Sequence, residues 1–138
     1  MGEDGAPDGG AEAARAVVER YLHALQAFDL DATLDCFTPD AVYSHPPYRD
    51  EPAEAPRHEV VGHAGLRRLF EARGPRPTAH HLDVVARAGD EAFASGLVTQ
   101  GGTAVASFLA HLRLAPDGRI AAYAAYASAP PVGWESGA

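Results

Sequence analysis

Hydrophobic positions between residues 11 and 73 recur mostly at helical spacing, whereas those after residue 78 fall into long runs separated by turn residues. Ala14, Val17, Val18, Tyr21, Leu25 and Phe28 lie three or four residues apart, which lines them along one face of a helix beginning at Ala11. Asp29-Leu30-Asp31 offers a capping carboxylate ahead of Ala32, Leu34, Cys36 and Phe37. A short second helix is expected there, ended by Thr38-Pro39-Asp40. Ala41 to Ser44 reads as a short strand. The stretch from His45 to Pro56 carries Pro46, Pro47, Pro52 and Pro56, suits neither regular element, and is expected to loop over a pocket mouth. Glu59-Val60-Val61-Gly62 leads into a third helix over 63–73, with Leu66, Leu69 and Phe70 on one face and Gly74-Pro75 as its stop.

Four strands follow, over 78–88, 91–100, 103–115 and 119–128. Gly89-Asp90, Gly101-Gly102 and Pro116-Asp117-Gly118 separate them, and turns this tight join antiparallel neighbours. The glycines from Gly96 to Gly102 belong to such a hairpin and not to a phosphate-binding loop, because no helix follows them. Helices followed by a meander imply an α+β fold: three helices on one face of a curved, mostly antiparallel sheet.

Composition narrows this picture. A fraction of 46% hydrophobic with 22% charged residues is that of one globular domain, expected over 11–129, with tails over 1–10 and 130–138 in which Trp134 is free to dock on a neighbouring surface. The net charge of -8 would repel nucleic acid and anionic membranes, so neither is expected as a partner. Cys36 is the only cysteine, which excludes an internal disulfide and a cysteine-built metal site. No basic-then-apolar leader and no long apolar run appear, so the expected location is cytoplasmic.

Particular residues carry a family resemblance. Val17-Val18-Glu19-Arg20-Tyr21-Leu22, Ala24-Leu25, Asp29-Leu30-Asp31 and Asp40-Ala41-Val42 ahead of His45-Pro46 resemble the opening of a bacterial ketosteroid isomerase. Gly62, Leu66, Arg67 and Phe70 resemble that family's third helix, and His111-Leu112-Arg113-Leu114 with Gly118 its last hairpin. The likeness spans about residues 14 to 128. It implies the cone-shaped fold shared by nuclear transport factor 2, ketosteroid isomerase and the SnoaL-like polyketide cyclases, with one apolar pocket. It also implies roles. Tyr21 matches the tyrosine that donates to the substrate oxyanion, and His45 stands where the family has its general-base aspartate. Ala110 stands where a second, protonated aspartate donates, so that donor is missing, and Phe70 replaces a supporting tyrosine.

Beyond the resemblance, Pro46 confines His45 to extended backbone and so aims its ring. An ordinary histidine pKa of about 6.5 against about 3.9 for aspartate makes it the stronger base. Tyr123 and Tyr126 lie on opposite faces of the last strand, and the alignment of the hairpin turns Tyr123 inward. The expected catalytic set is therefore His45, Tyr21 and Tyr123. The expected substrate-binding residues are Phe28, Tyr43, Phe70, His80, His81, Asp83, Phe93, Leu97, Phe108 and Leu112. On the strand after residue 78, alternation places His80, Leu82 and Val84 on one face and His81, Asp83 and Val85 on the other. His80 is favoured inside, and a single bulge would reverse the assignment. Small residues at Ala94, Ser95, Ala104, Ala106, Ser107 and Ala110 leave room for a ligand.

These residues point to a cofactor-independent enzyme without a metal, a cyclase or isomerase moving protons on a hydrophobic polycyclic or polyketide-type substrate. A non-catalytic ligand-binding or dimerisation module is the alternative. Epoxide hydrolysis is disfavoured, because the chain has no asparagine and only Asp83 as an acidic residue in a strand interior. The outer sheet face, with His111 and Arg113, is expected to pair in a homodimer.

Overall fold

The computed structural model describes residues 7–131 and 133, so the first six residues of the expected N-terminal tail, and Trp134 with its docking, lie outside the described residues. Helices α1 (Pro7–Gln26), α2 (Leu30–Asp35) and α3 (Gly62–Arg73) accompany strands β1 (Phe37–His45), β2 (His58–Val61), β3 (Thr78–Ala88), β4 (Glu91–Gln100), β5 (Thr103–Leu114) and β6 (Ile120–Ser128). The sheet order is β2-β1-β6-β5-β4-β3, antiparallel throughout except where β1 and β6 run parallel. The α+β class, with three helices on a mostly antiparallel sheet, is as expected.

Helix α1 starts at Pro7, four residues before the periodic pattern, and packs against β3 and β4, while α3 packs against β1 and β2. Ala14, Val17, Val18, Tyr21 and Leu25 are buried as their spacing requires. Phe28 is not part of that face. It adopts φ 55°, and the bonds Phe28 N–H to Leu25 O and Asp29 N–H to Ala24 O close the helix with a left-handed residue. The expected pocket wall is therefore a helix terminator.

Helix α2 ends at Asp35, capped at its start by the Asp29 carboxylate on Ala32 N–H. Phe37 and Pro39, expected in the helix and its stop, belong to β1 instead. Pro39 fits because the β1–β6 register slips between Phe37 and Val42, where no ladder N–H is required of it. Glu59 to Val61 likewise form the edge strand β2, not a mere lead-in.

The sheet is bent by irregularities. In β3, Leu82 pairs with Gly96 and Val84 with Ser95, leaving Asp83 as an extra, bulged residue. A Cβ on Gly96 would stand 2.0 Å from His81 O and 2.9 Å from Phe108 Cε1, so only glycine fits this crossing. Gly101 and Gly102, with φ of 60° and 82°, make the two-residue β4–β5 turn, as the hairpin reading of this segment expected.

Candidate active site

The inner ends of β1, β5 and β6 meet α1 and the proline-rich loop around a cavity of about 370 Å³, within the usual size of small-molecule sites. Tyr21 and Leu25 reach it from α1, Tyr43 and His45 from β1, Tyr48 from the loop, His80 from β3, Phe108 from β5 and Tyr123 from β6. The loop from Pro46 to Asp50 forms the mouth, as its composition suggested.

Strand alternation places Tyr43 and His45 on the inner side of β1, and Tyr43 pairs with Tyr123 of β6. The result is a row of rings. Tyr123 stacks on Tyr43 (5.3 Å between centroids, 6° between planes), Tyr43 on His45 (6.3 Å, 8°), and Tyr48 tilts over His45 (4.9 Å) and stacks on His58 (4.7 Å). Such contacts are worth about 0.5–1.5 kcal/mol each beyond buried area, and here they fix the plane of the imidazole. Tyr21 meets this row edge-on at Tyr123, and its hydroxyl lies 2.9 Å from that of Tyr43. Burial raises the pKa of Tyr21, Tyr43 and Tyr123 well above the phenol range, so all three are neutral hydrogen-bond donors at pH 7.

His45 Nδ1 lies 2.7 Å from the carbonyl oxygen of Pro46. A carbonyl only accepts, so Nδ1 carries the proton and donates, and in the neutral ring Nε2 holds the lone pair. Burial, with the nearby charge of Arg73 and opposed in part by the Pro46 bond, lowers the His45 pKa to about 4. This corrects the expected advantage over aspartate: at its site the imidazole is about as basic as an ordinary carboxylate. His80, edge-on to Phe108 at 5.3 Å, is likewise lowered to about 4 by burial first and Arg73 second.

Sequence reasoning missed several of the residues that line the cavity, among them Tyr48, Arg73 and Arg76. Arg73 ends α3, where a basic residue reads simply as complementing the helix dipole. The loop's prolines pointed to the mouth but not to Tyr48, which Glu51 holds by accepting from Tyr48 N–H at 2.6 Å.

Other expected walls lie elsewhere. Phe70 and Leu112 are buried in the core behind the cavity, Phe70 edge-on to Tyr43 at 5.5 Å. Phe93 stands on the outer face, 42% exposed, stacked on His111 at 4.5 Å. Leu97 is on that outer face too, opposite His81 in the β3–β4 ladder, and His81 Nε2 bonds Thr99 Oγ1 at 2.8 Å. His80 is thus the inward histidine and His81 the outward one. Asp83 is exposed on its bulge, its carbonyl held by Arg15, away from the cavity. His81, Asp83 and Leu97 border an open hollow of about 910 Å³ that adjoins the cavity, sharing Leu22, His80 and Phe108 with it but not Tyr21, Tyr43 or His45. Ala110 is fully buried, and no donor replaces the absent aspartate at that position. Among the described residues no cluster of three or more His, Cys, Asp or Glu could hold a metal ion.

A model of the SnoaL-like domain matches residues 18–123. The chain belongs to the SnoaL-like family. Solved structures similar to this SnoaL-like chain include a candidate ketosteroid isomerase from Kribbella flavida (20% identity, covering 91% of this chain and 87% of that chain, TM-score 0.63) and a nuclear transport factor 2-like protein of unknown function from Burkholderia xenovorans (20%, 91% and 92%, 0.65). A third is a candidate polyketide cyclase from Sinorhizobium meliloti (25%, 80% and 94%, 0.59). No curated protein matches the chain. The nuclear transport factor 2-like fold expected from the opening helix and the last hairpin is thereby established, and no helix among the described residues is long and apolar enough to cross a membrane.

Proposed function

We propose that this SnoaL-like protein is a cofactor-independent enzyme, a cyclase or isomerase that shifts a proton on a hydrophobic polycyclic or polyketide-type ketone. The reading rests on His45: its Nδ1–H is fixed on Pro46 O, so Nε2 is the lone-pair nitrogen of a ring lining an apolar cavity with a neutral phenol pair. Nε2 takes a proton from the carbon beside the carbonyl, the electron pair of that C–H bond becomes the C=C bond of the enolate, and the π pair of the carbonyl moves to its oxygen. Tyr21, with Tyr43 behind it, donates to the developing enolate oxygen. The imidazolium then returns the proton at another carbon, or the enolate carbon adds to a second carbonyl of the same substrate, whose π pair moves to its oxygen and takes the proton from the imidazolium.

The test is exchange of the protons beside the carbonyl of 2-tetralone in deuterium oxide, followed by NMR. The protein is expected to accelerate exchange over buffer, and His45→Ala to slow the catalysed rate by roughly 100-fold to 10,000-fold. Exchange by His45→Ala at the wild-type rate would show that His45 is not the base.

Ala110 favours a second reading, a ligand-binding module, because the position has no donor to complete an oxyanion site. Epoxide hydrolysis has no comparable support: Asp50 is the sole carboxylate lining the cavity, at its mouth beside Arg76 (3.5 Å). The outer sheet face exposes Val42, Val84, Phe93, Leu109 and Tyr126, which supports a homodimer across it. Buried, solitary Cys36 fits a reducing, cytoplasmic setting.

A further inference from the structure

The cavity is lined by charge of the wrong sign for this chain. The protein as a whole carries -8, yet Arg49, Arg73 and Arg76 border the cavity against one acid, Asp50. Two of the three arginines are occupied. Arg76 pairs with Asp50, and Arg49 donates to Val105 O at 3.2 Å. Arg73 donates only to Gly74 O, at 2.9 Å, and forms no ion pair with any carboxylate of the described residues. Its guanidinium is half-buried, and its charge acts on Tyr43, His45, Tyr48 and His80, all of which line the same space.

The hydrogen-bond inventory points the same way. Tyr48 Oη and Arg76 Nε are buried without a partner, and Arg76 lies over the Tyr48 ring at 5.0 Å. A buried N–H or O–H without an acceptor is costly, and both of these belong to residues lining the cavity mouth. An oxygen-rich anion supplies the acceptors they lack and the counter-charge that Arg73 lacks, and bonds to a guanidinium are the stronger for being charge-assisted. Deeper in, Leu22, Leu25, Val98 and Phe108 offer apolar walls and no charge.

We infer that the cavity takes a hydrophobic carboxylate, its acid group held at the mouth by Arg73 beside Tyr48 and Arg76, and its ring body inside. The inference builds on the pocket reading above and names the substrate class. A carboxylate held beside Tyr48, whose ring lies 4.9 Å from that of His45, fixes the adjoining part of the ring body at the imidazole, so that binding energy from the acid group is used to position the reacting carbon.

The probes are 2-naphthoate and its uncharged counterpart 2-naphthamide, titrated calorimetrically into the wild-type protein and into Arg73→Met, which keeps an apolar stem. The wild type is expected to bind naphthoate at least about tenfold more tightly than naphthamide, as befits a charge-assisted pair. Arg73→Met is expected to lose that preference while still binding naphthamide. A measurement free of any variant accompanies it: bound naphthoate, but not naphthamide, is expected to raise the pKa of His45 and His80 by NMR titration. Equal binding of the two probes to the wild type, or a preference that survives in Arg73→Met, overturns the inference. The pocket reading would still stand if 2-tetralone exchange is catalysed. Binding of neither probe overturns the inference as well.

Discussion

The hydroxyls of Tyr21 and Tyr43 lie 2.9 Å apart, so one phenol donates to the other and only the accepting partner keeps a proton for a substrate. If Tyr21 is the substrate's donor, Tyr21→Phe is expected to lower 2-tetralone exchange by about 100-fold to 1,000-fold, the range for a lost oxyanion donor. Tyr43→Phe removes only the support, and is expected to cost about 1 kcal/mol of stability and a smaller part of the rate. Parallel rate and denaturation measurements check this, and an equal loss in both variants would move the donor role to Tyr43.

The pH dependence of exchange follows the lowered pKa of His45. A base acts when neutral, so the rate is expected to hold down to about pH 5 and to fall through an apparent pKa of about 4, not about 6.5. His45→Asp is then expected to restore part of the His45→Ala loss without moving the profile far toward acid, because the histidine already titrates in the carboxylate range. A rate profile breaking near pH 6.5 would mean that the imidazole is solvated in solution.

Stability has its own pH window. His45 and His80 both titrate at about 4 in the folded chain and at about 6.5 when unfolded, so the unfolded chain binds their protons first. Their contribution is full above about pH 6.5 and is lost as pH falls from there toward 4, at about 1.4 kcal/mol per unit of separation for each group. Urea midpoints are expected to decline across that window, and His80→Leu to make the decline shallower. Glu51 and Asp117, whose pKa values are lowered by hydrogen bonds to His58 and Arg119, add their loss only at lower pH.

Gly96→Ala is expected to be among the most damaging small substitutions. Its Cβ would meet the His81 carbonyl at 2.0 Å, and backbone cannot swing aside as a long side chain does. A loss at the upper end of, or beyond, the usual overpacking cost of about 1–3 kcal/mol is predicted, read as a lower urea midpoint. Gly101→Ala meets nothing within 4 Å and, despite its φ of 60°, is expected to cost less.

A homodimer across the outer face is sensitive to charge there. Leu109 is 47% exposed and Phe93 42% on neighbouring strands. Leu109→Asp is expected to shift sedimentation from dimer to monomer at micromolar concentration. A wild type that sediments as a monomer would overturn the pairing.

The face of α1 was legible because Ala14, Val17, Val18, Tyr21 and Leu25 keep one helical period, and the glycine-marked turns displayed the meander. Phe28 was misread because a left-handed helix terminator is expected to be glycine, so its spacing pointed to the core. On β4 the large residues suggested a pocket wall, yet the inner positions opposite Phe93 are taken by Ala92 and Ala94, both fully buried, Val98 reaches the cavity, and Phe93 and Leu97 turn outward. Asp83 illustrates a local limit: its bulge reverses the alternation, leaving His80 and Leu82 inside but exposing Val84. Nothing in the pattern marks an extra residue of this kind. Arg73 was hidden for another reason, since its importance lies in the carboxylate it does not meet.

The place of β6 bears on how the protein is made. The last strand in chain order lies between β1 and β5, and it alone joins the N-terminal strand pair to the meander. Tyr123 on β6 is also the tyrosine stacked on Tyr43, some eighty residues earlier in the chain. During synthesis the helices and the β3–β5 hairpins can form from neighbouring residues, but the sheet remains in two halves, with open edges and no cavity between them, until β6 emerges. Such long-range closure is slow and leaves strand edges exposed in the interval. The cavity is therefore enclosed only once β6 has paired with both β1 and β5.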